Sequence, residues 1–384
     1  MRTVGIVTVG RSDWGIYRPV VARLARTPGL AVRIIVTGMH LAPEFGNTYQ
    51  MISADGFPSF ERVESLVASD TPTGIAKSMG LGVVGFADLF GRWRPDILLV
   101  LGDRFEMHAA AVAALPFLIP VAHLHGGELT AGAMDDALRH SITKLSHIHF
   151  PATPVYARRI HQLGEESWRI TVSGAPGLDH LRTTKLPTRK QLGASLGWPV
   201  PKRFALVTFH PVTLVHQDAG HEIEELLAAV ELSGLPALFT MPNADTNGRV
   251  IMAAIKRYVA KHQDSLLVDN LGTERYLAAM THAAVMLGNS SSGIIEAPSF
   301  KLPVVNIGIR QMDRLQAGNV VNCDNDRAAI AAALRRALSP GFSRLCARVR
   351  NPYDAGGSAA IVAETLKNIP LGPKLILKRF ADQL

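Results

Sequence analysis

Cysteine is almost absent. The 384 residues hold only Cys323 and Cys346. No disulfide framework beyond one bond can form, and no CxxC pair exists for zinc or thiol redox chemistry. That usage fits a reducing compartment, so a cytoplasmic location is expected. Long hydrophobic runs are also missing. Runs such as ILLVL at 97–101 are far too short to span a bilayer. The opening MRTVGIVTVGRSDW has one early Arg and runs straight into a strand pattern. It lacks the apolar core and small-residue cleavage site of a signal peptide, and no membrane partner is expected. Blocks of like charge do not occur. The formal net charge is +8, but the basic residues are dispersed. This excludes a nucleic-acid footprint and fits a solubility surface. There is no repeat of solenoid length and no low-complexity tract.

What is present is a regular alternation. Apolar residues make up 47% of the chain, enough for buried cores. Strand-like and helix-like segments alternate along nearly the whole length, which predicts α/β architecture with parallel sheets. Strands are expected near 3–9, 31–36, 96–101, 119–123 and 169–173, with helices such as 16–26 and 105–115 between them. The stretch TTKLPTRKQLGASLGWPVPKR at 183–203 is polar, with three prolines and five Lys or Arg, and reads as a domain boundary. A second βα series follows at 204–209, 237–241, 266–269, 283–287 and 303–307. Two doubly wound domains joined by a linker are therefore expected to face each other across a cleft, with ligands beyond the carboxyl ends of the strands.

Polar residues gather just after those strands: Arg11, Ser12 and Asp13, then Asp103 and Arg104, then His123 and His125, His210, Asn243, and Asn289 to Ser292. Turn and cap chemistry explains each singly but not the shared placement. The sequence GNSSSGIIEAPSF at 288–300 is the clearest case. A strand ending here and opening a helix leaves unpaired N–H groups at the positive end of the helix dipole, which favour an anion such as phosphate. Gly288 and Gly293 permit a tight turn, Ser290 and Ser291 add donors, and Glu296 is expected on the first helical turn, suited to ribose hydroxyls. The serine turn is neither GxGxxG nor GxxxxGK[ST]. Downstream, Arg310 stands where it can pair with a diphosphate, and Arg314 reads equally as a solvated surface residue.

HLHGGELTAGAMDDALRH at 123–140 is denser still, with His123, His125, Glu128, Asp135, Asp136, Arg139 and His140. An N-cap followed by an ion pair of Asp135 with Arg139, four residues apart, covers the later residues. It leaves two histidines and Glu128 around a Gly-Gly turn unexplained. His123 and His125 with Glu128 or Asp135 match no standard zinc spacing. Acid–base work suits the group better, because clustered carboxylates and imidazoles have pKa values pushed apart. His147 and His149 sit in a strand-like run and read as structural.

Seven segments in this order, GRSDWGIYRPVV, VTGMHLAPEFGNTYQMI, LGDRFE, HLHGGELTAGAMDDALRHSITKLSHIHF, FHPVT, GNSSSGIIEAPSF and NIGIRQMDR, resemble the hydrolysing UDP-N-acetylglucosamine 2-epimerases of sialic acid biosynthesis. The likeness runs from about residue 3 to NPYDAGG near 354. It implies the GT-B-like fold of two-domain nucleotide-sugar glycosyltransferases, with a Rossmann-like domain over 1–180, a second over 181–356 and a C-terminal helix over 357–384 packing back on the first. It implies conversion of UDP-GlcNAc to UDP and N-acetylmannosamine, with no metal and no redox cofactor, in a homodimer or higher homo-oligomer. The family's nucleotide-binding positions fall on Arg11, His210, Asn243, Ser290, Ser291, Glu296 and Arg310, and its catalytic positions on Asp103, His123, Asp135 and Arg139. One departure stands out: His125 replaces the acid of HIEGG or HVEAG, which strengthens Glu128 and Asp135 as candidate bases.

The implied chemistry breaks the C1–O bond to the diphosphate as the C2 proton leaves, giving a 2-acetamidoglucal. Water then adds at C1 and a proton returns to C2 from the other face. The same steps on a GDP-linked di-N-acetylbacillosamine, a non-hydrolysing UDP-GlcNAc epimerase, a glycosyltransferase and a non-catalytic nucleotide-sugar sensor are the alternatives. The acids at 103 and 135 argue against the sensor. Hinges are expected near 175–203 and 354–358.

Overall fold

β-Branched and leucine-rich runs without alternation demand burial on both faces, as in parallel sheets flanked by helices. The chain meets that demand twice. The structure is a computed structural model that describes residues 1–43, 46–57, 59–69, 71–131, 133–210, 219–241, 248–269 and 271–382. Two compact units result. The first holds Met1–Glu128, Asp135–His180 and Tyr353–Leu384, and the second holds Leu129–Met134 and Leu181–Pro352.

In the first unit, strands β1 (Arg2–Thr8), β2 (Leu30–Thr37), β3 (Phe60–Val63), β4 (Ile97–Leu101), β5 (Val121–Leu124) and β6 (Ile148–Phe150) form one sheet in the order β3-β2-β1-β4-β5-β6. All its pairings are parallel. β4, the ILLVL run, is buried at every position. In the second unit, β7 (Ala205–Thr208), β8 (Ala237–Thr240), β9 (Leu266–Val268), β10 (Val285–Gly288), β11 (Val304–Ile307) and β12 (Val320–Cys323) lie in the order β12-β11-β10-β7-β8-β9. Counted within its own unit, each sheet runs 3-2-1-4-5-6, the doubly wound order that places a ligand crevice where the winding reverses. Those points lie between β1 and β4 and between β7 and β10.

Alternate residues of β7 serve opposite faces. Ala205 and Val207 enter one core cluster with Ile223, Leu226 and Ile255, and Leu206 enters another with Leu192, Trp198 and Met280. The first unit has a single core cluster, which also takes Val362, Ala363 and Leu366 from the helix Ser358–Asn368. That helix starts on Asp179, whose carboxylate accepts from the backbone N–H groups of Ser358 at 3.1 Å and Ala359 at 2.7 Å.

Strands β3 and β12 were not foreseen, being edge strands of only four residues. The strand expected at 169–173 reduces to one bridge between His149 and Ile170. Its partner β6 is only three residues long, so the ladder has little to extend along. Beyond it, Arg169 donates to the backbone carbonyls of Leu375, at 2.7 Å, and of Lys374 and Leu377.

Candidate active site

In the first unit the polar cluster is assembled at the carboxyl ends of β4 and β5. His123, on β5, has no exposed surface. Its Nε2 lies 2.7 Å from the Gly102 carbonyl, an acceptor only, so that nitrogen carries the proton. Burial pushes the imidazole down to about 3, which keeps it neutral. Nδ1 lies 3.3 Å from the Thr143 hydroxyl. His123 is thus held wholly by protein groups.

The chain then turns sharply. His125 takes a left-handed conformation, φ 61°, unusual for a non-glycine residue. The two glycines after it are there for close approach. A Cβ on Gly126 would meet His123 Nδ1 at 2.9 Å, and one on Gly127, φ 78°, would meet the Tyr156 carbonyl at 2.6 Å. The turn sets His125 Nδ1 2.6 Å from Glu128 Oε1. Both side chains are buried, and His125 Nε2 has no hydrogen-bond partner among the described residues. An orphaned buried nitrogen is costly, and a catalytic role is one of the explanations such a group calls for.

Arg139, on the helix Met134–Leu145, is 2% exposed. It pairs with Asp103 and donates through Nη1 to the Glu128 carbonyl at 3.0 Å. Its neighbour on the helix is Asp136 at 3.8 Å, where the spacing had pointed to Asp135. Asp135 is half-buried on the first turn of that helix. Arg104 caps the helix Phe105–Ala114, and Arg11 is exposed at the start of the helix Arg11–Ala25. Asp13 serves the backbone, accepting from Val9 N–H at 2.6 Å and Gly10 N–H at 2.8 Å. Sequence reasoning passed over Glu106. Burial pushes its carboxyl up to about 7, and Oε2 has no partner among the described residues. Its only signal was an acid inside an otherwise apolar helix start.

In the second unit the serine turn closes the reversal point. Gly288 has φ 127°, and a Cβ there would lie 1.9 Å from the Thr208 carbonyl, so only glycine lets β10 approach β7. Asn289, 1% exposed, grips the next loop: His210 N–H donates to Asn289 Oδ1 at 2.8 Å, and Asn289 Nδ2 donates to the His210 carbonyl at 2.7 Å. The Asn289 carbonyl accepts from Arg310 Nη1 at 3.2 Å and from Gln311 Nε2 at 3.1 Å. Gln311, buried, was not foreseen. Ser290 and Ser291 are half-buried, and among the described residues their backbone N–H groups have no intramolecular partner.

The helix after them departs from expectation. It spans only Ser292–Ile295 and passes into a 3-10 turn, Ala297–Phe300, because Pro298 cannot continue it. Anion binding here has little macrodipole behind it and depends on the N–H groups and hydroxyls. Glu296 ends the short helix instead of opening it. Asn243 lies outside the described residues. Among the described residues, no three His, Cys, Asp or Glu side chains stand close enough to hold a metal ion. No helix there is long and apolar enough to cross a membrane.

Two doubly wound units, one carrying an acid–imidazole cluster and the other a donor-lined serine turn, define a two-unit α/β protein with a polar site at each winding reversal. Comparison with known proteins narrows the class. A family model described as UDP-N-acetylglucosamine 2-epimerase matches residues 22–367, and the chain belongs to that family. It is 39% identical over 325 residues to a Campylobacter jejuni protein named GDP/UDP-N,N'-diacetylbacillosamine 2-epimerase (hydrolyzing), covering 84% of each chain. It is 37% identical over 378 residues to the Legionella pneumophila UDP-N,N'-diacetylbacillosamine 2-epimerase (hydrolyzing), covering 98% of this chain and 99% of that one. To a UDP-N-acetylglucosamine 2-epimerase of Neisseria meningitidis serogroup B it is 32% identical over 383 residues, covering 100% of this chain and 99% of that one. Among solved structures, the UDP-GlcNAc 2-epimerase from Neisseria meningitidis bound to UDP-GlcNAc superposes with a TM-score of 0.82 at 19% identity, covering 95% of this chain and 99% of that one. The fold expected from the resemblance is therefore the observed one.

Proposed function

We propose that this epimerase acts on nucleotide-linked N,N'-diacetylbacillosamine, releasing the nucleoside diphosphate and the free sugar with C2 inverted. The first expectation, UDP-GlcNAc, gives way because the relatives named for the bacillosamine substrates are 39% and 37% identical, against 32% for one named for UDP-GlcNAc.

The observation that carries the chemistry is the pair His125–Glu128, 2.6 Å apart, with Nε2 of the imidazole buried and unpartnered. A carboxylate on Nδ1–H fixes the tautomer and leaves Nε2 as a proton acceptor, the arrangement of a general base. In this reading Nε2 takes the C2 proton as the C1–O bond breaks and the diphosphate leaves with its electron pair, giving a sugar with a C1–C2 double bond, a 2-acetamidoglycal. Water adds at C1, and Asp135 returns a proton to C2 on the other face. Asp103, set by Arg139, supplies negative charge to the oxocarbenium-like ring. His123 holds the turn and exchanges no proton. On the second unit, the N–H groups and hydroxyls of Ser290 and Ser291, with His210 and Arg310, meet the departing diphosphate, and Glu296 meets the ribose. Donors placed in advance of the charge cost no reorganisation as it develops. Arg11, Arg104 and Asn243 are assigned to the nucleotide sugar from the sequence pattern.

The test is a panel of UDP- and GDP-linked N,N'-diacetylbacillosamine and UDP-GlcNAc, incubated in heavy water. Free nucleoside diphosphate and a C2-deuterated, C2-inverted sugar are expected from a bacillosamine substrate. Faster turnover of UDP-GlcNAc would return the reading to the first expectation, and product without deuterium would indicate transfer chemistry.

A further inference from the structure

The sequence left Arg314 evenly balanced between a site residue and a solvated surface residue, and the structure puts it to use. The segment Leu129–Met134 belongs to the second unit, whereas Glu128 and Asp135 on either side of it belong to the first. Within the second unit, Arg314 Nε donates to the Leu129 carbonyl at 2.9 Å, and Nη2 lies 3.3 Å from the Thr130 hydroxyl. Arg314 therefore holds the chain at the residue bonded to Glu128.

Arg314 also ends a short turn with a second task. Met312 N–H donates to the Ile309 carbonyl at 3.0 Å, and Arg314 N–H donates to the Gln311 carbonyl at 3.2 Å. From the same turn, Arg310 and Gln311 hold the Asn289 carbonyl at the head of the serine turn. One tightly wound stretch thus touches the residue that opens the proposed diphosphate site and the backbone that follows the proposed base pair. The fork of a guanidinium suits this, because it addresses a carbonyl and a hydroxyl at fixed angles, which an ammonium cannot do.

We infer that Arg314 is a positioning residue that couples the two halves of the reaction: it sets Leu129 and Thr130, and so the placement of Glu128, from the turn that supports the leaving-group site. The inference rests on the roles proposed above for Glu128 and the serine turn. Arg314 itself touches no reacting atom. Contiguity is not coupling, so the experiment has to measure the coupling itself.

Arg314→Lys keeps charge and reach but loses the fork, and Thr130→Val removes one hydroxyl. In Arg314→Lys, kcat falls about 30-fold and KM and product inhibition by the nucleoside diphosphate stay within about twofold, as expected for a small misplacement of reacting groups. Thr130→Val lowers kcat about threefold in the same pattern. An unchanged kcat in both variants overturns the inference. So does a tenfold loss of nucleotide affinity at unchanged kcat, which would make Arg314 a direct ligand. Amide exchange gives a readout that needs no turnover: exchange at Leu129 and Thr130 rises about tenfold in Arg314→Lys while the serine turn is unaffected. Equal exchange also overturns it. Failure of the wild-type chain to turn over any nucleotide sugar would refute the proposed function, and the exchange result would still decide whether Arg314 holds the segment.

Discussion

Asn289 holds the backbone of His210 from both sides, accepting from its N–H at 2.8 Å and donating to its carbonyl at 2.7 Å. The side-chain amide thus extends the pairing of β7 with β10 one step past the strands, after Gly288 has brought the two chains together. Only an amide offers a donor and an acceptor in that geometry.

Asn289→Asp tests this directly. The carboxylate still accepts from the N–H but sets an oxygen against the His210 carbonyl. Stability is expected to fall by about 2 kcal/mol, the cost of a buried acceptor losing its donor. Affinity for the product nucleoside diphosphate falls at least about tenfold, read by calorimetry. Asparagine-like affinity in the variant would show that the clasp does not shape the turn.

Glu128→Gln keeps the shape of the pair with His125 and removes its charge. If Glu128 sets the imidazole for proton transfer, kcat falls by about 10²-fold, within the range for such steps. KM changes less than about threefold. Deuterium entry at C2 slows in parallel with nucleotide release. A fall in KM-linked binding alone would assign Glu128 to binding.

Glu106 predicts a pH dependence. Its carboxyl is raised from the ordinary 4.5 to about 7 by burial. A raised carboxyl favours the folded state in its neutral form. That contribution is complete below about 4.5 and is lost as pH rises through 7. Glu106→Gln is neutral at every pH, so it is expected to gain on the wild type between pH 5 and 8, by up to about 3 kcal/mol. Denaturant midpoints at pH 4, 6 and 8 check the trend. A constant difference would remove Glu106 as its source.

Glu165 predicts the opposite slope. Burial acts to raise its carboxyl, but hydrogen bonds from His149, Lys144 and Lys378 overcome this and hold it at about 2. Its contribution is present above the ordinary 4.5 and is lost as pH falls towards 2. Glu165→Gln leaves Lys378, which lies 2.8 Å from Glu165 Oε2, without its counter-charge. A loss of about 3 kcal/mol at pH 7 is expected, as for other broken buried pairs. Amide exchange in 374–381 rises with it, and the gap from wild type narrows below pH 4.

Much of this protein was written locally. Unbroken apolar runs such as ILLVL at 97–101 need cover on both faces, so parallel sheets and two doubly wound halves were readable from the chain. Glycine and polar residues after strands marked the turns where side chains gather, and the clusters around Asp103, His123, His125, Glu128 and Arg139, and around His210, Asn289 and Arg310, were named from that pattern. Folding decided what those residues touch. Arg139 pairs with Asp103, 36 positions away, and with Asp136, where helical spacing pointed to Asp135. His123 is spent on Gly102, and the Gln311 and Arg314 side chains hold the carbonyls of Asn289 and Leu129. Burial raised Glu106, and hydrogen bonds from His149, Lys144 and Lys378 depressed Glu165, two glutamates that look alike in the chain. Periodicity records which face a residue presents. Partners and dielectric surroundings arise only when distant segments meet, because they are set by distances through space.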